Sequence, residues 1–204
     1  MNPFYMTMLT TIRKALLAGI LIGLGCYGYL SLGGLAGAVI FAFGLISVIL
    51  LRLPLYTGMA GVIKPRQTGE MLMVWLFNIV GCAVMGLMAH YCARFDETLA
   101  TMVGNRLGDS WMQAFTKAVG CGLIIDCAVY MAKQPSPWGS REGGSLLPVA
   151  FGVPLFIVCG FYHSIADVMY LAAYLQWQPE ILPYYTAIFL GNFVGCNVRR
   201  LCTP

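Results

Sequence analysis

Charged residues are scarce in this sequence. Lys, Arg, Asp and Glu together make up 10% of the 204 residues, and only two histidines are present. A soluble domain usually carries about 25% charged residues, because its surface has to face water. Hydrophobic residues instead reach 59% and the mean hydropathy is +0.78. This balance excludes a soluble globule and indicates an integral membrane protein.

Motifs for metal, cofactor or nucleophile chemistry are also missing. The eight cysteines form no CxxC pair and have no histidine at a metal-ligand spacing, so we interpret them as small packing residues. We therefore predict no metal and no cofactor, and an enzyme is the least expected class. The net charge of +4 fits membrane topology rather than nucleic-acid binding.

Long apolar segments are what the chain does contain. Each is close to the length of about 20 helical residues that crosses about 30 Å of hydrocarbon. We place the six predicted spans at 15–32, 34–55, 71–92, 112–132, 146–175 and 181–198. Little sequence remains outside them, so we predict an all-α integral membrane protein with a single transmembrane domain over 1–204.

Basic residues fall unequally on the two sides of this predicted topology. One side has Arg13, Lys14, Lys64, Arg66, Lys133, Arg141, Arg199 and Arg200. The other side has only Arg94 and Arg106. Loops rich in Lys and Arg stay in the cytoplasm, so we expect both termini there. We expect the membrane to be a bacterial inner membrane.

The two halves of the chain, about 12–92 and about 110–200, repeat each other. Three pairs of segments match in the same order: Lys14–Ile22 with Lys117–Ile125, Leu55–Gly58 with Phe161–Ser164, and Asn78–Gly81 with Asn192–Gly195. Three helices followed by three similar helices of opposite orientation make an inverted repeat.

The centre of each half interrupts a helix. Pro54 breaks the second span, and Gly160 with polar His163 and Ser164 breaks the fifth. Hydrocarbon does not tolerate unpaired backbone groups, so both breaks must face protein or a water-lined path. We expect the two breaks to meet at the midplane, with Asn78 and Asn192 fixing their loops.

The segment Gly160–Asp167, which reads GFYHSIAD, resembles the fifth helix of the formate/nitrite transporter family. That helix carries Gly, an aromatic, Glu, His, Ser, Ile, Ala and Asn in series. Leu55, Tyr56 and Thr57 match the family's Leu-Phe-Thr loop, and the resemblance covers nearly all of the chain, as a short and divergent member. It implies an aquaporin-like fold and a homopentamer in membrane lipid with one pore per protomer.

The resemblance also implies which residues line the pore. Constrictions would be formed by Phe41, Leu45, Leu55, Tyr56 and Phe156. Thr57 and His163 would face one another between them, and Arg106 would lie at the outer mouth. The chain departs from the family where Tyr162 and Pro54 replace glutamates and Gly122 replaces an asparagine.

His163 suggests a mechanism. An imidazole with a pKa near ~6.5 exchanges protons near neutral pH, so it would help formate, nitrite or hydrosulfide cross an apolar constriction as neutral acids. The alternative is a structural role, in which His163 only forms a hydrogen bond that stabilises a helix break. Two other readings are a channel for a neutral or cationic solute and a membrane scaffold that conducts nothing.

Four charged residues lie in or near the apolar spans: Arg52, Lys117, Asp126 and Asp167. Charges at membrane depth are costly and need partners. Asp167 follows His163 by one helical turn, so its carboxylate would hold the imidazolium or repel an anion. Alternatively it would form a structural pair with Arg52 or Lys117.

Overall fold

The computed structural model describes residues 3–61, 67–92, 95–134 and 145–202. These residues form helices joined by short connections: α1 Pro3–Leu32, α2 Gly34–Leu50, α3 Tyr56–Ala60, α4 Thr68–Cys92, α5 Asp96–Gly108, α6 Trp111–Ala132, α7 Leu147–Val158, α8 Ala166–Tyr174 and α9 Ile181–Cys202. Four basic residues used to predict the orientation lie outside the described residues, namely Lys64, Arg66, Arg94 and Arg141.

The predicted all-α membrane architecture is confirmed. Among the described residues, four helices are long and apolar enough to cross a membrane, namely α1, α4, α6 and α9. The other two predicted spans are broken helices, because α2 stops at Leu50 before α3 begins, and α7 stops at Val158 before α8 begins. Each half of the chain thus supplies two continuous helices and one broken helix.

Helix α5 was not predicted. Its sequence DETLATMVGNRLG is too polar for a membrane span, so a search for apolar segments passes over it. Leu99 and Val103 nevertheless bury one face of it, and α5 packs against α8 and α9. The helix brings Arg106 next to α8, where it binds Asp167.

Glycines let the continuous helices of each half approach closely. A Cβ atom on Gly19 of α1 would lie 2.1 Å from the carbonyl oxygen of Asn78 in α4. At the aligned place in the second half, a Cβ on Gly122 of α6 would lie 2.5 Å from the carbonyl oxygen of Asn192 in α9. Small residues at such crossings allow backbone contact inside a membrane. The same contact therefore builds both halves.

Helices α2 and α7 end with the same backbone turn. Arg52 and Gly160 both have a positive φ, of 52° and 67°. The next N–H group in each, of Leu53 and Phe161, donates to a carbonyl five residues earlier, at 2.9 and 3.0 Å. This is the pattern of a Schellman helix end, with Arg52 equivalent to Gly160.

This equivalence corrects the predicted alignment of the two breaks. The sequence comparison matched Tyr56 with Tyr162, whereas the common helix end and its hydrogen bonds match Tyr56 with Ser164. The apolar sequences on both sides of the breaks are too uniform to fix the register. The backbone geometry fixes it, because the αL residue can occupy only one position in each turn.

Replacement of Gly195 by alanine tests the close helix contacts. A Cβ on Gly195 would lie 2.2 Å from the carbonyl oxygen of Val119, so α9 would have to move away from α6. We expect Gly195→Ala to destabilise the protein by about 1–3 kcal/mol or to prevent folding. Thermal unfolding of the purified protein in detergent measures this.

Gly104→Ala is the matched control, because a Cβ there would meet no heavy atom of the described residues within 4 Å. Gly104 lies inside α5, where alanine is the better helix former by about 1 kcal/mol. Its unfolding temperature should stay the same or rise. An equal loss of stability in both variants would contradict the role assigned to the contact.

Candidate pore between the two helix breaks

Two cavities enter the bundle from opposite ends. The first has a volume of about 470 Å³, and we call it the His163 cavity. Its lining includes Phe41, Arg106, Asp109, Lys117, Phe156, His163 and Asp167. The second, the Arg52 cavity, has a volume of about 920 Å³. Its lining includes Lys14, Leu45, Arg52, Leu55, Glu70 and Lys133.

An apolar barrier separates the two cavities. On α2, Phe41 lines the His163 cavity, whereas Leu45, one turn later, lines the Arg52 cavity. The rings of Phe41 and Phe156 meet edge to face at 5.8 Å, and Leu55 closes the other side. All four side chains are at most 4% exposed. The barrier is therefore about one helical turn thick and lined by hydrocarbon.

His163 and Thr57 meet at this barrier, one from each helix break. The Nε2 atom of His163 lies 3.2 Å from the hydroxyl oxygen of Thr57. The backbone N–H of Ala166 donates to the Nδ1 atom at 3.2 Å, so Nδ1 carries no proton in this arrangement. The imidazole is then neutral, and its Nε2–H donates to Thr57.

Asn192 holds the break that carries His163. Its Oδ1 atom accepts the N–H of Ser164 at 2.7 Å, and its Nδ2 group donates to the carbonyls of Ala118 and Tyr162, both at 2.9 Å. The side chain is fully buried. One amide thus satisfies backbone groups on both sides of His163 and ties them to α6.

Asn78 does the same for the first break. Its Oδ1 accepts the N–H of Tyr56 at 2.9 Å, and its Nδ2 donates to the carbonyls of Ala15 at 2.8 Å and Pro54 at 3.2 Å. The prediction that the two asparagines fix the loops is confirmed. These bonds hold the backbone next to Thr57 at a fixed distance from α1.

Asp167 is neutralised by Arg106 rather than left to act on His163. The Nε atom of Arg106 donates to one carboxylate oxygen at 3.2 Å, and the hydroxyl of Tyr184 donates to the other. The guanidinium lies over the rings of Tyr162 and Tyr170, at 5.2 and 4.9 Å. Asp167 is 2% exposed, so this is a buried ion pair in which each carboxylate oxygen accepts a hydrogen bond.

The predicted pairing of Asp167 with Arg52 or Lys117 is wrong. Lys117 instead binds the carboxylate of Asp109 and the hydroxyl of Tyr162, 3.1 Å away. Arg52 lies at the opposite end, in the Arg52 cavity. The predicted spans give only the order of these residues along the chain. Arg106 was placed at the outer mouth, but its helix α5 was not predicted, so its contact with Asp167 could not be foreseen.

Asp126 forms the third ion pair in the described part of the chain. Its carboxylate accepts from Arg199, and the guanidinium lies 3.9 Å from the ring of Tyr130. Asp126 is not among the residues that line either of the two cavities. This pair joins α6 to α9 away from the barrier.

Tyr56, predicted as a constriction residue, points away from the barrier. Its ring stacks on Phe189 at 5.0 Å and its hydroxyl donates to the Phe189 carbonyl at 3.1 Å. It does not line either of the two cavities. Adjacent residues of a helix point about 100° apart, so Tyr56 and Thr57 cannot both face the barrier.

The structure thus brings together His163, Thr57, Phe41 and Phe156, with Leu45 and Leu55 on the far side of the same barrier. Sequence reasoning missed Asp109 and Tyr184. Asp109 lies just before the N-cap Ser110 of α6, outside the helix that carries Lys117, so the spacing of the two residues along the chain gave no signal for their pairing. In the described ranges, no three His, Cys, Asp or Glu side chains come together as a possible metal site.

Two broken helices that meet between opposed cavities, inside a bundle of membrane-spanning helices, define a membrane channel or transporter. The sequence identifies the family to which this channel or transporter belongs. Residues 2–200 match the model of the family described as formate/nitrite transporter, so the chain belongs to that family of transporters and channels. It is an integral membrane protein of a family that is not enzymatic.

The relatives that the sequence matches are distant from it. The chain is 24% identical over 190 residues to the uncharacterized transporter YrhG of Bacillus subtilis (strain 168), which covers 81% of this chain and 68% of that one. It is 28% identical over 98 residues to a probable formate transporter of Methanothermobacter thermautotrophicus. That alignment covers 46% of this chain and 34% of the relative.

Solved structures match the fold over almost the whole chain. A structure described as a pentameric formate channel with formate bound has a TM-score of 0.80, with 18% identity over 95% of this chain and 94% of that one. An ion channel of the same family has a TM-score of 0.81, with 22% identity over 96% and 91% of the two chains. These likenesses confirm the aquaporin-like architecture.

Asn192→Asp tests whether one amide holds the second break. The carboxylate can still accept from Ser164, but it cannot donate to the carbonyls of Ala118 and Tyr162. Buried acceptors left unpaired cost about 1–3 kcal/mol each, so we expect a loss of several kcal/mol of stability. Thermal unfolding in detergent gives the value.

Asn197→Asp is the comparison for Asn192→Asp. Asn197 lies on the same helix, is partly exposed, and donates to Ala60 and Phe193 outside the break. Its replacement should have a much smaller effect. If both variants lost the same stability, the three bonds of Asn192 would not be what holds the break.

A double-mutant cycle tests the pair of Arg106 and Asp167. Either Arg106→Gln or Asp167→Asn leaves one buried charge without its partner, and we expect each to cost about 3 kcal/mol. The double variant removes both charges and should cost less than the sum of the two. Additive losses in thermal unfolding would show that the two side chains do not interact.

Proposed function

We propose that the protein passes small monovalent anions or their weak acids, of the class of formate, nitrite and hydrosulfide, linked to protons through His163. The observation that carries the proposal is a buried imidazole bonded to Thr57 inside an apolar barrier between two cavities. The names of the formate channel and the probable formate transporter support this substrate class.

The barrier favours a neutral solute. A small anion loses several kcal/mol of hydration between the rings of Phe41 and Phe156, and protonation removes most of that cost. His163 and Thr57 supply the polar hydrogen-bonding groups at this point. A weak acid can therefore exchange the Nε2 bond of Thr57 for its own bond to the imidazole.

The hydrogen bonds of His163 link its charge to the solute. A proton on Nδ1 would point at the N–H of Ala166, so the imidazolium loses that bond. An anion next to the ring offsets the loss, because an opposite charge favours the charged form of an imidazole. The anion takes the proton from Nε2 and leaves as the neutral acid. The ring then loses its Nδ1 proton to water in the His163 cavity and takes one up at Nε2, and Nδ1 accepts the bond from Ala166 again. Net transport carries one proton with each anion.

The proposed orientation places the Arg52 cavity towards the cytoplasm. Arg13 and Lys14 near the start of α1, Lys133 after α6, and Arg199 and Arg200 near the end of α9 all lie at that end of the bundle. Basic residues at the cytoplasmic ends of spans support this topology. The proposal includes a homopentamer with one pore per protomer, as in the pentameric formate channel, and a bacterial inner membrane.

A cationic solute is the weaker reading of this site. Free carboxylates in the membrane would favour a cation, but Asp167 and Asp126 are each paired with an arginine. Neither then presents a free negative charge to the barrier. A small anion or its acid fits the hydrogen-bonding groups of His163 and Thr57 better.

Flux through purified protein in liposomes tests the proposal. We expect formate, nitrite or hydrosulfide to enter faster when an inward proton gradient is applied. His163→Asn keeps a polar side chain that cannot carry a proton at neutral pH, so its flux should no longer follow the gradient. The expected loss of gradient-driven flux is at least about tenfold, within the range of one lost proton-transfer group.

His90→Asn is the matched control, since it removes the other histidine of the chain. His90 bonds to the carbonyl of Ala173 at 2.9 Å and does not line either of the two cavities. Its flux should equal that of the unchanged protein. Equal, gradient-dependent flux in His163→Asn would rule out the proton link, and no flux of any of the three anions would rule out the substrate class.

A further inference from the structure

We infer that Arg52 forms an anion-binding site in the Arg52 cavity, which takes a small oxyanion such as a carboxylate before it reaches the barrier. The inference rests on the proposed function for its substrate class. It adds to that function a binding residue, Arg52, and the end of the molecule from which the anion enters. Anions bind at the end of the molecule where α1 begins and α9 ends, and no equivalent unpaired cation lines the described part of the other cavity.

The first observation is the backbone position of Arg52. It has a φ of 52° at the end of α2, a conformation that costs a residue with a Cβ about 1–2 kcal/mol. The equivalent residue of the second half is Gly160, with the same turn and the same hydrogen bonds. Glycine fits the turn without strain, so the fold has no need of arginine there. A strained residue in such a place points to a function of its side chain.

The second observation is the charge around the Arg52 cavity. Its lining holds three basic side chains, of Lys14, Arg52 and Lys133, and one acidic side chain, of Glu70. All four are exposed, and within the described residues none of them takes part in an ion pair. The described lining therefore carries a formal excess of two positive charges in a concave space, which concentrates anions.

The third observation is the contrast with the His163 cavity. Its described lining also holds charged groups, but they are two basic and two acidic side chains. Arg106 is bound to Asp167 and Lys117 to Asp109, so each cation there has its own carboxylate. The family resemblance placed Arg106 at the outer mouth, and its ion pair with Asp167 favours a positioning role for it there.

Arg52 also lies close to the barrier. Leu55, which closes the barrier on this side, follows it by three residues, or at most about 11 Å of extended backbone. A guanidinium offers two parallel N–H groups that match the two oxygens of a carboxylate. An anion held there has one short step to Thr57 and His163. The site is thus placed to load the barrier.

Oriented membrane vesicles test the inference. Formate uptake is measured against concentration in right-side-out and inside-out vesicles, at low ionic strength, for the unchanged protein and for Arg52→Gly. This variant installs the residue of the equivalent turn, so it relieves the backbone and removes only the side chain. We expect the half-saturating formate concentration to rise about fivefold for entry through the Arg52 cavity, as for one lost contact between unlike charges near water.

For entry from the opposite face, the half-saturating formate concentration should change less than about twofold. Arg52→Lys should restore part of the loss, because lysine keeps the positive charge but lacks the two parallel N–H groups of the guanidinium. Arg13→Gln is the control for general charge effects, since Arg13 is at the same end but does not line the cavity. Its curves should match those of the unchanged protein. An equal change at both faces, or no change in Arg52→Gly, overturns the inference.

A binding measurement separates this inference from the proposed function. Formate should raise the unfolding temperature of the purified protein in detergent, and the same rise should need about fivefold more formate in Arg52→Gly but not in His163→Asn. A rise that is the same in Arg52→Gly and the unchanged protein overturns the anion site. Binding that depends on Arg52 without any flux in vesicles leaves the site in place and rejects the transport of formate.

Discussion

Two buried asparagine side chains hold the backbone where it stops being helical. A break in a membrane helix leaves N–H and C=O groups that lipid cannot satisfy, and each unpaired group costs several kcal/mol. Asn78 and Asn192 each accept one N–H and donate to two carbonyls, one in the break and one in the neighbouring helix. These bonds fix each break against its neighbouring helix.

The close helix contacts depend on the same two residues. Asn78 and Asn192 lie where glycines bring α1 against α4 and α6 against α9, so each amide reaches across a gap no wider than a hydrogen bond. The breaks then meet with Thr57 against His163. The helix packing, the hydrogen bonds of the backbone and the candidate pore therefore depend on one another. Replacement of the glycines would move the helices apart and change the position of the His163 imidazole.

Much of the fold could be predicted from the sequence, because membrane spans and helix breaks follow from local composition. The paired asparagines and the central histidine were visible for the same reason. The partners of the charged side chains were not. Asp167 binds Arg106, which lies on helix α5, and the polar sequence of that helix does not predict a membrane span. The orientation of Tyr56 depends on the turn after α2, and the apolar sequence does not determine the register of that turn. Such contacts arise only when distant elements pack together.

The common turn that ends α2 and α7 makes Leu55 the symmetry equivalent of His163. The two halves therefore supply the same backbone to the centre of the molecule but opposite chemistry, a hydrocarbon group from one and a titratable ring from the other. A scaffold with near twofold symmetry becomes a pathway with two unlike entrances. Selectivity can then change through single side chains in either half while the backbone bonds of both remain as they are.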